Sequence, residues 1–260
     1  MEGNLYIFSS NTSNSLLMGK TGVIIQARMQ STRLPGKVLL PFYNNRTILD
    51  IIIETINSLE LPIILAIPDD NDNDILENKF YGVSIFRGSN FNVLERFINA
   101  AKRYNLSYIV RVCADNPFLD RALLLGLLDE IKGPIDYISY KINGIPSIKS
   151  HLGFFAEVVS LDALIKVLKS TSEVKYLEHV TNFIYENDGL FNIKWVETKD
   201  CFDIDDNIRL TIDTSEDFII AQEIFKINYP EINSNKVLSY LKDKKEIKSL
   251  MHQQIYKNTK

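Results

Sequence analysis

The apolar positions change their spacing along the chain, and each change marks an element. Val23-Ile24-Ile25 is an unbroken apolar run that reads as a buried strand, and it passes abruptly into Gln26-Ala-Arg-Met-Gln-Ser-Thr-Arg-Leu-Pro-Gly-Lys37. Ile48, Leu49, Ile52, Ile56 and Leu59 then recur at helical spacing behind Thr47-Ile-Leu-Asp50, which has the form of a capping box. Short apolar strands are predicted over 62–67 and 83–86. The helix after them carries Val93, Leu94, Phe97, Ile98, Ala101 and Tyr104 on one face. A strand over 108–113 runs into Ala114-Asp-Asn-Pro117, and a helix over 123–131 is stopped by Gly133-Pro134. Strands alternating with helices predict a three-layer α/β fold with a doubly wound, mostly parallel sheet. Such sheets bind ligands beyond the carboxyl ends of their strands, so the turns after Ile25, Ile67, Phe86 and Cys113 should share one binding edge.

The alternation loosens after residue 135. Strands are expected over 137–140, 151–159 (interrupted by Gly153), 191–196 and 208–212, and helices over 161–168 and 174–185. Thr214 and Asp217 are spaced as a second capping box, and 233–257 reads as one or two Lys-rich amphipathic helices with a solvated face. The expected partition is a leader over 1–20 outside the core, an α/β domain over 21–228 and a helical tail over 229–260. The second half should complete the sheet and add a small lobe over its binding edge.

Composition narrows the function. The 260 residues carry 45% hydrophobic and 24% charged positions, ordinary for a chain with one sizeable core. A net charge of −4 argues against nucleic acid as a partner, so any anion site must be local. No apolar run approaches the ~20 residues that span a bilayer, and the N-terminus lacks the form of a signal peptide. Two cysteines, Cys113 and Cys201, are too few for a disulfide framework. A cytoplasmic, reduced protein with no membrane partner is the expectation.

Candidate chemistry sits in four places. Arg28, Arg33 and Lys37 supply charge, while Ser31, Thr32 and Gly36 let the backbone curl; together they suit a triphosphate, although a solvated basic loop reads similarly. The Walker A spacing is absent. Asp115, leaving a strand before a Pro turn, suits Mg²⁺ or an Asx-turn. Asp213, read by itself, is part of an ordinary strand-to-helix turn. His151, in an apolar segment, reads first as structural.

The loop Ile25-Gln-Ala-Arg-Met-Gln-Ser-Thr-Arg-Leu-Pro-Gly-Lys-Val-Leu39 closely resembles the signature loop of cytidylyltransferases that make CMP-sugars. The nearest branch is that of the spore coat polysaccharide biosynthesis protein F, with CMP-Kdo synthetases as relatives. Two further strings carry the resemblance. Asp115-Asn-Pro117 resembles the family's Asp-x-Pro, with Ala114 where Gly is usual, and Leu210-Thr-Ile-Asp-Thr-Ser-Glu-Asp217 resembles a V-D-T-P-E-D-L element, with Ser215 in place of Pro.

The resemblance implies a Rossmann-like nucleotidyltransferase fold with an acceptor and dimerisation lobe. It implies transfer of CMP from CTP to an acidic sugar, with pyrophosphate released, Mg²⁺ held by Asp115 and Asp213, and a homodimer serving surface polysaccharide synthesis. Gln26, Ala27, Arg28, Ser31, Thr32, Arg33, Lys37, Arg87 and Ser89 would line the nucleotide, with Arg28 and Lys37 counted as catalytic beside the two aspartates. His151, Glu157 and Glu178 would reach the acceptor. A polyol phosphate or phosphonate acceptor, or a nucleotide-sugar-binding domain without turnover, are the alternatives.

Overall fold

Val23, Ile24 and Ile25 are all fully buried, yet they serve two different cores because side chains alternate across a strand. Val23 and Ile25 join one apolar cluster with Ile48, Leu49, Ile52 and Ile56; Ile24 joins a second with Val93, Leu94, Phe97 and Ile98. A strand buried on both faces is the mark of a sheet covered by helices on each side. The structure is a computed structural model, which describes residues 20–198 and 207–258; residues 1–19 of the expected leader and Cys201 lie outside the described residues.

In chain order the elements are β1 (Thr21–Gln26), β2 (Pro41–Tyr43), β3 (Arg46–Thr47), α1 (Ile48–Asn57), β4 (Ile63–Pro68), α2 (Asp74–Lys79), β5 (Ser84–Gly88), α3 (Val93–Arg103), β6 (Tyr108–Cys113) and α4 (Arg121–Leu128). The second half adds β7 (Tyr137–Ile142), β8 (Ile145–Pro146), β9 (Glu157–Ser160), α5 (Leu161–Ser170), α6 (Val174–Glu178), α7 (Asn182–Glu186), β10 (Ile193–Glu197), α8 (Ser215–Asn228), α9 (Ser234–Leu241) and α10 (Lys245–Asn258). The main sheet runs β10-β7-β9-β6-β1-β4-β5, with β8 paired to β7, and β2 and β3 form a separate small ribbon. β1 is parallel to both β4 and β6, and β9 lies antiparallel between β6 and β7. The chain therefore leaves β1 toward β4 on one side and returns to β6 on the other. That reversal opens a crevice beyond the carboxyl ends of β1 and β6, where the polar loops at 27–37 and 114–117 emerge.

The mostly parallel, helix-covered sheet agrees with the sequence reading, and both capping boxes form. At the first, Thr47 accepts from the Asp50 backbone N–H while the Asp50 carboxylate accepts from the Thr47 N–H at 2.8 Å and its hydroxyl at 2.7 Å. Burial alone would raise the Asp50 pKa, but these bonds and Lys79 hold it below the usual 3.8. Its contribution to stability is thus present above pH 3.8 and lost as pH falls through the lower folded value. Asp50→Asn should destabilise the fold by about 1 kcal/mol near neutrality. Urea midpoints measured from pH 6 down to pH 3 should show that difference shrinking below pH 3.8.

Three expected elements differ. No strand forms over 208–212: Leu210 N–H and Thr211 N–H both donate to the His151 carbonyl and Ile212 N–H to the Asp115 carbonyl, so this segment lies across the sheet edge instead of joining the ladder. Only Glu157–Ser160 of the expected 151–159 strand is paired, because Gly153 at φ +66° turns the chain before it. The expected 174–185 helix is two short helices, since Thr181 is drawn inward to donate to the buried Glu157. The Lys-rich tail does form two helices, and their apolar face buries Val237, Leu241 and Met251 in the first core cluster. No helix among the described residues is long and apolar enough to cross a membrane.

Candidate active site

The loop after β1 is folded by its own backbone and pinned by a neighbour. Gly36 N–H donates to the Met29 carbonyl at 2.9 Å, and Gly36 adopts φ +67°, closing the loop so that Lys37 returns toward the sheet. Met29 N–H donates to Asn73 Oδ1 at 3.0 Å, while Asn73 Nδ2 donates to Gln30 and Asp70. Asn73 is fully buried and gave no sequence signal, because an Asn among Asp and Asn residues looks like an ordinary turn. Asn73→Ala should release the loop and cost about 1 kcal/mol of loop order, roughly a fivefold rise in nucleotide KM. Steady-state kinetics at varied nucleotide would read that rise.

Lys37 reaches the centre of the crevice with its side chain 12% exposed. Its ammonium donates to Asp115 Oδ2 at 3.2 Å, to Asp213 Oδ1 at 3.1 Å and to the Ile212 carbonyl at 2.6 Å. Burial alone would lower the Lys37 pKa, but the two carboxylates outweigh it and raise the value, so the ammonium stays charged. Asp213 shows the converse: burial alone would raise it, and Lys37, Arg33 and Arg209 hold it below the usual carboxylate value. The two aspartates, 98 positions apart in sequence on the count of their residue numbers, thus meet at one point.

Arg209 is the residue that the sequence reading missed. It is 4% exposed, pairs with Asp217 at 2.8 Å and Asp213 at 2.9 Å, and donates from NH1 to His151 Nδ1 at 2.9 Å. The available signal was an arginine inside the apolar run Ile208-Arg-Leu210, since a buried guanidinium demands partners. Arg209 can only donate, so His151 Nδ1 must accept and the ring's remaining N–H sits on Nε2. Burial and Arg209 also lower the His151 pKa below 6.5. At neutral pH His151 is a neutral hydrogen-bond donor and not a proton acceptor.

Lys37, Asp115, His151 and Asp213 line one cleft of about 1010 Å³, which also takes in Gln26, Ala27, Arg28, Ser31, Thr32, Arg33 and Glu178. Arg28 faces Glu178 at 3.7 Å across it, and Arg33 bridges Asp213 at 3.1 Å and Asn258 at 3.0 Å, so the end of α10 closes one rim. Three expected residues lie elsewhere. Arg87 is committed to Asp69, Asp74 and Glu77, where it braces the turn that carries Asn73. Ser89 accepts from Asn92 N–H ahead of α3. Glu157 is 1% exposed and accepts from Arg111, Tyr137 and Thr181 behind the cleft wall, so it cannot touch an acceptor directly. Cys113 lines the cleft, and burial pushes its thiol up to about 11, which makes it a poor nucleophile.

A doubly wound sheet whose switch point holds a cation-rich loop and two convergent carboxylates is the construction of a nucleotidyltransferase. Residues 22–258 match the cytidylyltransferase family, and the chain belongs to it. The spore coat polysaccharide biosynthesis protein SpsF of Bacillus subtilis is 33% identical over 84% of this chain and 92% of its own length. A cytidylyltransferase structure from Leptospira borgpetersenii superposes with a TM-score of 0.76 at 30% identity, over 88% of this chain and 96% of its own. CMP:2-keto-3-deoxy-manno-octonic acid synthetase complexed with CTP shares the fold, with a TM-score of 0.56 at 15% identity over 80% and 99% of the two chains.

Proposed function

We propose that this enzyme transfers CMP from CTP to an acidic sugar, releasing pyrophosphate, as a step toward surface polysaccharide. The observation that carries the reading is the Lys37 ammonium held at once by Asp115 and Asp213 at the switch point, with Arg28 and Arg33 beside it. The spore coat name of the Bacillus relative and the CTP complex of the synthetase support the polysaccharide and nucleotide assignments.

In this reading an acceptor oxygen attacks the α-phosphorus of CTP and the bond to the β-phosphate breaks, with pyrophosphate leaving. Catalysis is positioning and charge compensation. Lys37, whose three N–H donors go to Asp115, Asp213 and the Ile212 carbonyl, offsets phosphate charge through its field at the switch point, and Arg28 and Arg33 offset charge on the outer phosphates. Asp115 and Asp213 would hold Mg²⁺. The donor set fits: two carboxylates, the hard oxygen ligands that Mg²⁺ takes, converge on one point. Bound there, Mg²⁺ would supply Lewis-acid stabilisation of phosphate charge. His151 would donate from Nε2 to the acceptor.

The test is pyrophosphate release from CTP and Mg²⁺ with a panel of acidic sugars, polyol phosphates and phosphonates. Turnover with an acidic sugar is expected. Turnover only with a phosphate or phosphonate would replace the acceptor class, and tight CTP binding without any turnover would make the chain a binding domain.

A further inference from the structure

Among the described residues, two groups on the cleft wall lack a polar partner of their own. Asn116, in the turn after β6, is 6% exposed, and its Oδ1 is sealed from solvent with no hydrogen-bond partner among the described residues. Buried side-chain oxygens are nearly always satisfied, so an orphan at a ligand cleft points to a bond completed by the ligand. Lys149, between β8 and β9, is the second. Its ammonium stands 5.0 Å from the centre of the Tyr185 ring, and it pairs with no carboxylate among the described residues. The other cations around the reaction centre are committed: Arg28 to Glu178, Arg33 to Asp213, Lys37 to both aspartates, Arg111 to Glu157 and Arg209 to Asp213 and Asp217. Lys257 is at the far rim, beside the Asn258 that holds Arg33.

Lys149 and Asn116 belong to one surface. The segment from Lys149 passes His151, which lines the cleft, and reaches Gly153, where a Cβ would stand 3.5 Å from Asn116 Oδ1. One uncommitted positive charge matches a monoanion better than a phosphate dianion, and an orphan amide oxygen matches a hydroxyl or amide N–H. An aromatic face under the ammonium fixes its position without neutralising it.

We infer that Lys149 and Asn116 determine acceptor specificity, Lys149 taking the acceptor carboxylate and Asn116 a hydroxyl or amide N–H of its polyhydroxylated body. The inference rests on the cytidylyltransferase reading and deepens it. It assigns the acceptor as a carboxylate-bearing sugar held by a lysine on the loop before β9, with His151 between the two contacts.

The experiment is steady-state pyrophosphate release by the full chain with CTP and Mg²⁺. The probes are 2-keto-3-deoxy-manno-octonic acid, N-acetylneuraminic acid and glucuronic acid, each beside its carboxyl-reduced alcohol, with glycerol 3-phosphate as the phosphate arm. At least one acid should be accepted, and its alcohol should fall by about tenfold or more in kcat/KM. Lys149→Met should raise the acid's KM by about tenfold, abolish the preference over the alcohol, and leave the CTP KM within about twofold, whereas Lys149→Arg retains the preference. Asn116→Ala should raise KM severalfold for acid and alcohol alike, with circular dichroism confirming that it is folded. Preference unchanged in Lys149→Met, turnover confined to glycerol 3-phosphate, or silence with every acid while calorimetry records CTP binding would each overturn the inference. Absence of CTP binding by the unmodified enzyme would overturn the function proposed above and this inference with it.

Discussion

Asp213→Asn is expected to cut kcat for pyrophosphate release by roughly 10³-fold while leaving the melting temperature within a few degrees. Both halves follow from what the carboxylate touches. It is the meeting point of Lys37 at 3.1 Å, Arg33 at 3.1 Å and Arg209 at 2.9 Å, so its charge organises three of the cations around the site. Losing one preorganised electrostatic partner at a buried site costs about 10²–10³ in rate, and under the function proposed above the loss of a metal ligand adds to that. The fold survives because the amide keeps the shape, Arg209 retains Asp217 and His151, and Lys37 retains Asp115 and the Ile212 carbonyl. Pyrophosphate release at the wild-type rate by this variant would remove Asp213 from the metal assignment.

Glu157→Ala should behave in the opposite manner, with a large stability loss and little direct effect on chemistry. Its carboxylate is sealed at 1% exposure and accepts from Arg111, Tyr137 and Thr181. Removing one partner of a buried pair leaves the other charge uncompensated, which costs about 3–5 kcal/mol. For a chain of this size the melting temperature should drop on the order of 10 °C. Arg111→Met combined with Glu157→Leu should recover most of that loss, because two apolar side chains leave no orphan charge. If Glu157 touched the acceptor, Glu157→Gln would raise acceptor KM at a temperature where it is fully folded. An unchanged KM with a lowered melting temperature is the expected result.

The two predictions divide along a line visible in the chain itself. Arg111 and Arg209 both interrupt apolar runs, and a buried guanidinium must be paired, so the need for partners was legible while the partners were not. Glu157 was expected at the acceptor on the family resemblance alone. Strand pairing sends it the other way: it lies opposite Arg111 across the antiparallel β6–β9 ladder, on the face covered by α5 to α7. Asn73, Asn116 and Lys149 carried no local pattern at all. What singles each out is a neighbour tens of residues away, Met29 for Asn73 and Tyr185 for Lys149, or, for Asn116 Oδ1, the lack of a partner among the described residues.

What the sequence determined alone was whatever depends on short range. The two-sided burial of β1, the capping boxes at Thr47 and Thr214, and the alternation that makes a parallel sheet are set by spacing and propensity. So is the cationic content of the loop from Arg28 to Lys37, together with the family likeness that names its nucleotide. Tertiary structure alone decided which charges meet. The reversal between β4 and β6 puts the loop after β1 beside Asp115, and the unladdered 208–213 segment, held by His151 and Asp115, swings Asp213 onto the same ammonium. Coulomb energy in a buried site depends on ångströms and not on sequence distance, so the loop's function is fixed only where the fold closes.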